Sequence, residues 1–335
     1  MAHDVILLAH GDGGALTYRL VKDLFLRYFP GQALQALTDA AALDLPAGRL
    51  AVSTDAFVVS PPFFPGGDIG KLAVCGTVND LAVSGARPLY LTASFLLEEG
   101  LSLADLERVV ASMAATCREA GVEIVAGDTK VVERGKLDRI FISTTGVGVI
   151  PPEVNLGYHR VAPGDRILVN GGMGEHGLAV LALRSGLDFA GQLKSDCAPL
   201  NGIIADLLAA VPGVKLMRDL TRGGLVTAAK EIALATGKDL LLEEEAIPVS
   251  GLVRGAADLL GLDPLYLANE GKFMAIVAPE EAEKALAVLR QHPLGKEAAI
   301  VGEVREGRGN VYLRTAFGGT KLMDMLAGAP LPRIC

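Results

Sequence analysis

The chain has no long apolar run: within its 335 residues nothing approaches the ~18 that a membrane-spanning helix needs. The apolar stretch Val5 to Ala9 is too short for a secretory core and has no basic flank. Basic residues are in deficit, 31 against 39 acidic, and the resulting charge of −8 argues against non-specific nucleic-acid binding. The four cysteines, Cys75, Cys117, Cys197 and Cys335, form no C-x-x-C pair. No histidine stands at metal-ligand spacing from them, which argues against zinc and for a reducing, cytoplasmic setting. No repeat of solenoid period is present. Two nucleotide motifs are missing as well. Gly66 to Lys71 is one residue short of a Walker loop, with Leu72 where a magnesium-binding hydroxyl belongs. Gly11-Asp12-Gly13-Gly14 follows no convincing strand and is not a Rossmann turn.

What remains is an apolar, α/β composition. Half the residues are hydrophobic, and the length suits two domains with apolar surface left over for a homo-oligomeric interface. Strands are expected at 50–60, 88–97, 123–126, 138–149 and 166–170, and helices at 67–84 and 101–120. Ser102 caps the second helix, and Cys117 lies on its core face with Leu106, Val110 and Met113. Pro151-Pro152 and Ala162-Pro163-Gly164-Asp165 place a domain boundary between about 150 and 160. Beyond it the alternation resumes, with a helix after Gly174, helices over 199–210 and 280–291, a loop over 217–225 and a strand over 272–277. Asn170-Gly171-Gly172-Met173-Gly174 reads as a tight turn or an anion nest.

Acidic residues recur at strand ends and loops: Asp55, Asp80, Asp128 and Asp219, each beside small polar residues or glycine. Singly they read as caps or turn residues. Together they suggest carboxylates gathered at one edge, a cluster that needs a cation such as Mg²⁺ shared with phosphates. The chain closes on Leu331-Pro332-Arg333-Ile334-Cys335, a thiol at the end of a leash that Pro330 and Pro332 bias toward an extended form. Such a leash of residues 329–335 spans roughly 20 Å, enough to reach a cleft elsewhere.

The motifs Ser53-Thr54-Asp55-Ala56-Phe57, Val78-Asn79-Asp80, Ala126-Gly127-Asp128-Thr129-Lys130 and Arg218-Asp219-Leu220-Thr221-Arg222-Gly223-Gly224-Leu225 resemble the aminoimidazole-ribonucleotide synthetase superfamily. With His10-Gly11-Asp12-Gly13-Gly14 and the terminal Pro332-Arg333-Ile334-Cys335, the resemblance narrows to the HypE family of hydrogenase maturation factors, the carbamoyl dehydratases, and covers essentially the whole chain. It implies a two-domain PurM-like fold of α/β (α+β type), with residues 1–155 binding ATP and dimerising, 156–328 as second domain and 329–335 as a mobile tail. The N-terminal sheets would form a barrel across a homodimer, with ATP and Mg²⁺ at the domain and subunit junction. The carbamoyltransferase HypF would load Cys335, ATP would drive dehydration of the thiocarboxamide to a thiocyanate, and a HypC-HypD scaffold would accept the cyanide.

The resemblance assigns Asp55, Asp80, Asp128 and Asp219 to the metal, and Gly11, Asp12, Gly13, Gly14, Asn79 and Thr129 to the nucleotide, with Lys71 a further phosphate candidate. Removing the nitrogen proton needs a base near the incoming tail. Glu270 is the first choice and Lys130 the second, the latter as a group that polarises Glu270 or orients the amide. Arg333 would dock the tail on an acidic rim. Glu175 stands where relatives often carry Asp, and His176 is either a polar contact in the domain cleft or a structural histidine. A selenophosphate synthetase would carry a reactive thiol near its N-terminus, but no cysteine precedes Cys75. A folded carrier that merely displays a thiol is the alternative of a different class, separable by ATP hydrolysis that depends on modified Cys335.

Overall fold

The computed structural model describes every residue except 1–3, 39, 188, 190, 329, 330 and 332. The stiffening expected of Pro330 and Pro332 therefore falls outside the described residues. The chain opens with short helical turns, α1 (Ala15–Leu20), α2 (Leu26–Tyr28) and α3 (Gln32–Gln35), with a π-helical turn over Val21–Phe25 between the first two. Strand β1 (Arg49–Phe57) leads through a hairpin of β2 (Phe63–Phe64) and β3 (Gly67–Asp68) into α4 (Ile69–Val83). Then come β4 (Arg87–Glu98), α5 (Leu103–Ala120), β5 (Glu123–Val132) and β6 (Ile140–Ile150), giving a four-stranded sheet in the order β1-β6-β4-β5. Only the β4–β5 pair is parallel.

Helix α4 organises this half. Asp68 caps it, accepting from the backbone N–H of Gly70 at 2.8 Å and of Lys71 at 3.0 Å. It is buried on nearly every side, as a helix apolar all round must be, lying between the sheet and the second half of the molecule. Gly146 on β6 permits the close approach, since a Cβ there would meet Leu81 and Thr77 at 2.7 Å. Ser102 caps α5 as expected, and Cys117 is buried on its inner face.

The second half contains β7 (Arg166–Val169), α6 (Glu175–Arg184), α7 (Asn201–Ala210), β8 (Val214–Asp219), α8 (Gly224–Thr236), β9 (Asp239–Glu243) and α9 (Gly251–Leu260). It closes with β10 (Phe273–Val277), α10 (Ala282–Gln291), β11 (Ala299–Arg305), β12 (Val311–Arg314) and β13 (Thr320–Met323). Its seven-stranded sheet runs β13-β12-β9-β11-β7-β10-β8. One strand extends beyond its expected bounds, and the start of one expected loop is strand. Residues 127–130 extend β5 because they pair in parallel with Ala93 to Leu96 of β4, and 217–219 end β8 by pairing with β10. Glycine and aspartate disfavour strands locally, and partners distant in sequence override them.

The tail is docked. The Cys335 carbonyl accepts from Val58 N–H at 3.1 Å, and Ile334 and Leu331 are buried in the N-terminal core. It is not uniformly extended, because Arg333 lies in the left-handed region at φ 52°. Its side chain is held by Asp138 at 2.8 Å and by the Val58 carbonyl at 3.0 Å, contacts that offset a backbone cost of about 1–2 kcal/mol.

Candidate active site

Three of the four aspartates meet at the junction of the two halves. Asp55 comes from β1, Asp80 from α4 and Asp219 from the end of β8. Asp80 accepts from the Ser53 hydroxyl at 2.7 Å and Asp55 from that of Thr77 at 3.2 Å. Burial, reinforced by the charge of Asp219, pushes the Asp80 carboxyl up to about 7, and burial raises Asp219 as well. Ser53, Asp80 and Asp219 line a cleft of about 560 Å³ between the halves. Among the described residues no three metal-ligating side chains stand at ligand spacing. The donor set nevertheless fits Mg²⁺, a cation commonly held by one or two carboxylates plus waters and phosphates, and carboxylates this reluctant to ionise are a charge deficit awaiting one.

Asp128 stands apart. It lies on β5, the strand at the far edge of the sheet from β1, where it is exposed and pairs with Lys130 at 3.1 Å. The glycine arm packs there too: a Cβ on Gly11 would meet the Val131 nitrogen at 2.5 Å. Asp12 is exposed, Gly13 donates to the Thr17 hydroxyl at 3.0 Å, and Gly14 caps α1. Gly11, Gly13, Asp128, Thr129 and Lys130 line a largely apolar pocket of about 230 Å³. Lys130 is thus on the outer edge of the sheet, not beside Glu270. The Asn79 amide donates to the carbonyls of Ala198 at 3.1 Å and Glu270 at 3.2 Å and accepts from Leu200 N–H at 2.7 Å. With those groups engaged, it ties α4 to the second half. Lys71 reaches back to the Gly66 carbonyl at 3.4 Å, away from the outer pocket.

Glu270 is the centre of the junction. It is 2 % exposed, its Oε1 has no hydrogen-bond partner among the described residues, and burial followed by the charges of Cys197, Asp196 and Asp219 raises its proton affinity well above the ordinary carboxyl range, with Arg222 opposing. Asp196 fixes its backbone, accepting from the N–H of Glu270 and of Gly271 at 3.1 Å each. Gly271 follows because a Cβ there would strike the Asp196 carbonyl at 2.1 Å. Lys272 balances the local charge, pairing with both Asp196 and Glu175 at 3.3 Å. The Cys335 thiol is pushed up to about 12, by burial first and by Glu270 next, so the docked thiol is un-ionised.

Asp196, Arg222, Ser195, Arg184 and Asp138 carry roles that sequence reading did not assign. Only Arg222 had a signal, its place inside the Arg218–Leu225 motif. His176 turns out to touch the tail, its Nε2 lying 2.8 Å from the Ile334 carbonyl oxygen.

Comparison with known proteins matches residues 37–150 to the AIR synthase related N-terminal domain and 162–314 to the corresponding C-terminal domain. A carbamoyl dehydratase HypE of Cupriavidus necator is 54% identical over 330 residues, covering 98% of this chain and 94% of that protein. The chain belongs to the HypE family. A HypE crystal structure in complex with ATP superposes with a TM-score of 0.95 at 51% identity, covering 98% of this chain and 99% of that one. The HypE in a HypE-HypF complex superposes at 0.81 with 45% identity, covering 93% of this chain and all of its own. The HypE fold is therefore the mixed two-domain α/β architecture described above.

Proposed function

We propose that Cys335 carries the substrate of this ATP-dependent carbamoyl dehydratase, which makes cyanide for hydrogenase maturation, and that Glu270 is its base. The observation that carries the assignment is a docked terminal thiol whose ionisation is opposed first by burial and then by Glu270, a buried carboxyl whose Oε1 has no hydrogen-bond partner among the described residues. A thiocarboxamide oxygen is a poor leaving group until it receives the γ-phosphoryl group of ATP. O-phosphorylation releases ADP and one of the two N–H protons to solvent, giving the iminophosphate; its remaining nitrogen proton passes to Glu270, the C–O bond breaks, and phosphate leaves a thiocyanate on the sulfur. Burial suits Glu270 to the step, since a carboxyl with raised proton affinity is the stronger base toward a weakly acidic N–H. In the docked state the thiol is un-ionised, so HypF loads it with the tail withdrawn.

Asp55, Asp80 and Asp219 would hold Mg²⁺, which when bound supplies charge neutralisation to the phosphates. The outer group, Asp128, Thr129, Lys130 and the glycine arm, completes the nucleotide site across a homodimer. Edge strand β1 supports that reading, because it exposes Leu50 and Val52, each about 60 % accessible, beside the inner carboxylates. Residues 1–155 would then bind nucleotide and dimerise, 156–328 close over it and 329–335 shuttle, in a cytoplasmic protein that hands cyanide to a HypC-HypD scaffold. The test is mass spectrometry of the C-terminal peptide after incubation with the carbamoyl donor system and ATP. A thiocyanate on Cys335, absent from Cys335→Ala, is expected; a mark on another cysteine refutes the assignment.

A further inference from the structure

The last three carbonyls of the chain are all engaged, and they divide between two sides. Those of Arg333 and Cys335 accept from the backbone N–H groups of Ser60 at 3.4 Å and Val58 at 3.1 Å. That of Ile334 turns to α6, where His176 meets it at 2.8 Å, and Arg184 at the other end of α6 donates to the Arg333 carbonyl. A carbonyl oxygen only accepts, so His176 Nε2 must carry a proton. The ring is 0 % exposed and burial lowers its proton affinity, so it is neutral and Nδ1 is bare. Nδ1 lies 2.8 Å from the Ser195 hydroxyl, which must therefore donate to it. The Ser195 oxygen in turn accepts from Cys197 N–H at 3.1 Å, and Phe64 packs edge-on against the ring at 5.3 Å. Each member of the relay has one role left to it.

We propose that His176 is the tail-positioning residue of the reaction: held by Ser195 in its Nε2–H form, it reads the backbone carbonyl preceding the carrier cysteine and so sets the depth at which the Cys335 sulfur meets Glu270. The contact that His176 makes is to the backbone, while the Ile334 side chain is buried in the core beside it. A single-residue insertion between Arg333 and Ile334 therefore presents a different carbonyl to His176 and displaces the sulfur by one residue, about 3.3 Å.

The inference rests on Cys335 as carrier, so the experiment separates docking from chemistry. In the full-length protein without ATP, alkylation of Cys335 by iodoacetamide is followed by mass spectrometry of the C-terminal peptide. In parallel, protein carbamoylated on Cys335 is mixed with ATP and thiocyanate formation is timed. His176→Phe keeps the ring shape without the donor. It should expose Cys335 to alkylation about tenfold faster, the weight of one buried hydrogen bond, and slow dehydration at least as much with ATP affinity unchanged. His176→Gln, which restores an amide donor, should recover most of both. Ser195→Ala, the milder variant should His176→Phe fail to fold, should accelerate alkylation about two- to threefold by freeing the tautomer. Unchanged protection in His176→Phe overturns the proposal, as does equal loss in the Phe and Gln variants, or no effect of Ser195→Ala. If wild-type protein forms no thiocyanate while the alkylation pattern follows expectation, the carrier reading fails and the docking role stands.

Discussion

Asp80 and Asp128 are the same side chain in two different electrostatic situations. Asp80 sits at the junction with Asp219 and Asp55 near it, and burial and repulsion push it up to about 7. Asp128 sits in solvent on the opposite edge of the sheet, with Lys130 as its neighbour. The inner group is in deficit of positive charge and gains from a cation, whereas the outer group is already balanced and gives up little if altered. The pH dependence of stability should therefore respond at Asp80 and hardly at Asp128, whereas nucleotide binding is where the two groups are expected to act together.

The largest expected effect lies between the two candidate bases. Glu270→Gln should slow thiocyanate formation by about 10²–10⁴-fold while the tail still docks, the usual weight of a positioned base. Lys130→Ala should instead raise the ATP requirement. Single-turnover kinetics at saturating and limiting ATP distinguish them, and a Glu270→Gln enzyme at full rate would falsify the base assignment.

Next comes nucleotide binding. Asp80→Asn should lose magnesium-dependent ATP affinity by calorimetry, and so should Asp128→Asn if a homodimer joins an inner group to its partner's outer group. Mixing the two inactive variants then restores intact sites in heterodimers, about one quarter of wild-type activity on statistical exchange in a two-fold assembly. No recovery despite demonstrated subunit exchange would sink the shared site, as would light scattering that shows a monomer.

A smaller effect is on pH. A carboxyl whose folded value is raised binds more protons folded than unfolded, so its contribution to stability falls as pH rises from about 4 to about 7. Without magnesium, the melting temperature should drop across that interval more in wild type than in Asp80→Asn. A profile identical in both removes Asp80 as the cause. The smallest effect is Asp128→Asn on stability, within about 0.5 kcal/mol as expected of an exposed pair, read by urea unfolding.

Much of this protein was legible before any coordinates. Residue pattern located α4, pattern and the Ser102 cap located α5, the prolines at 151–165 fall between the two sheets, and the aspartate motifs with the terminal cysteine identified the family and its chemistry. These are local signals: a cap, a period or a motif is carried by residues within a few positions of one another. Glu270 was singled out between two apolar stretches, but its meaning was not, since burial and an unpartnered oxygen depend on Asp196 and the tail, 74 and 65 positions away in the chain.

Only the tertiary structure decided the division of the aspartates. Four similar motifs gave no sign that β1 and β5 would be opposite edges of one sheet, because strand order follows from long-range pairing rather than from the strands' own composition. It likewise showed Asn79 tying the two halves together, and brought His176 against the tail. Sequence determined which groups the protein possesses. Folding determined which lose water, which face one another and which keep a free valence, and burial and separation are what set the proton affinity of a carboxyl and the donor of an imidazole.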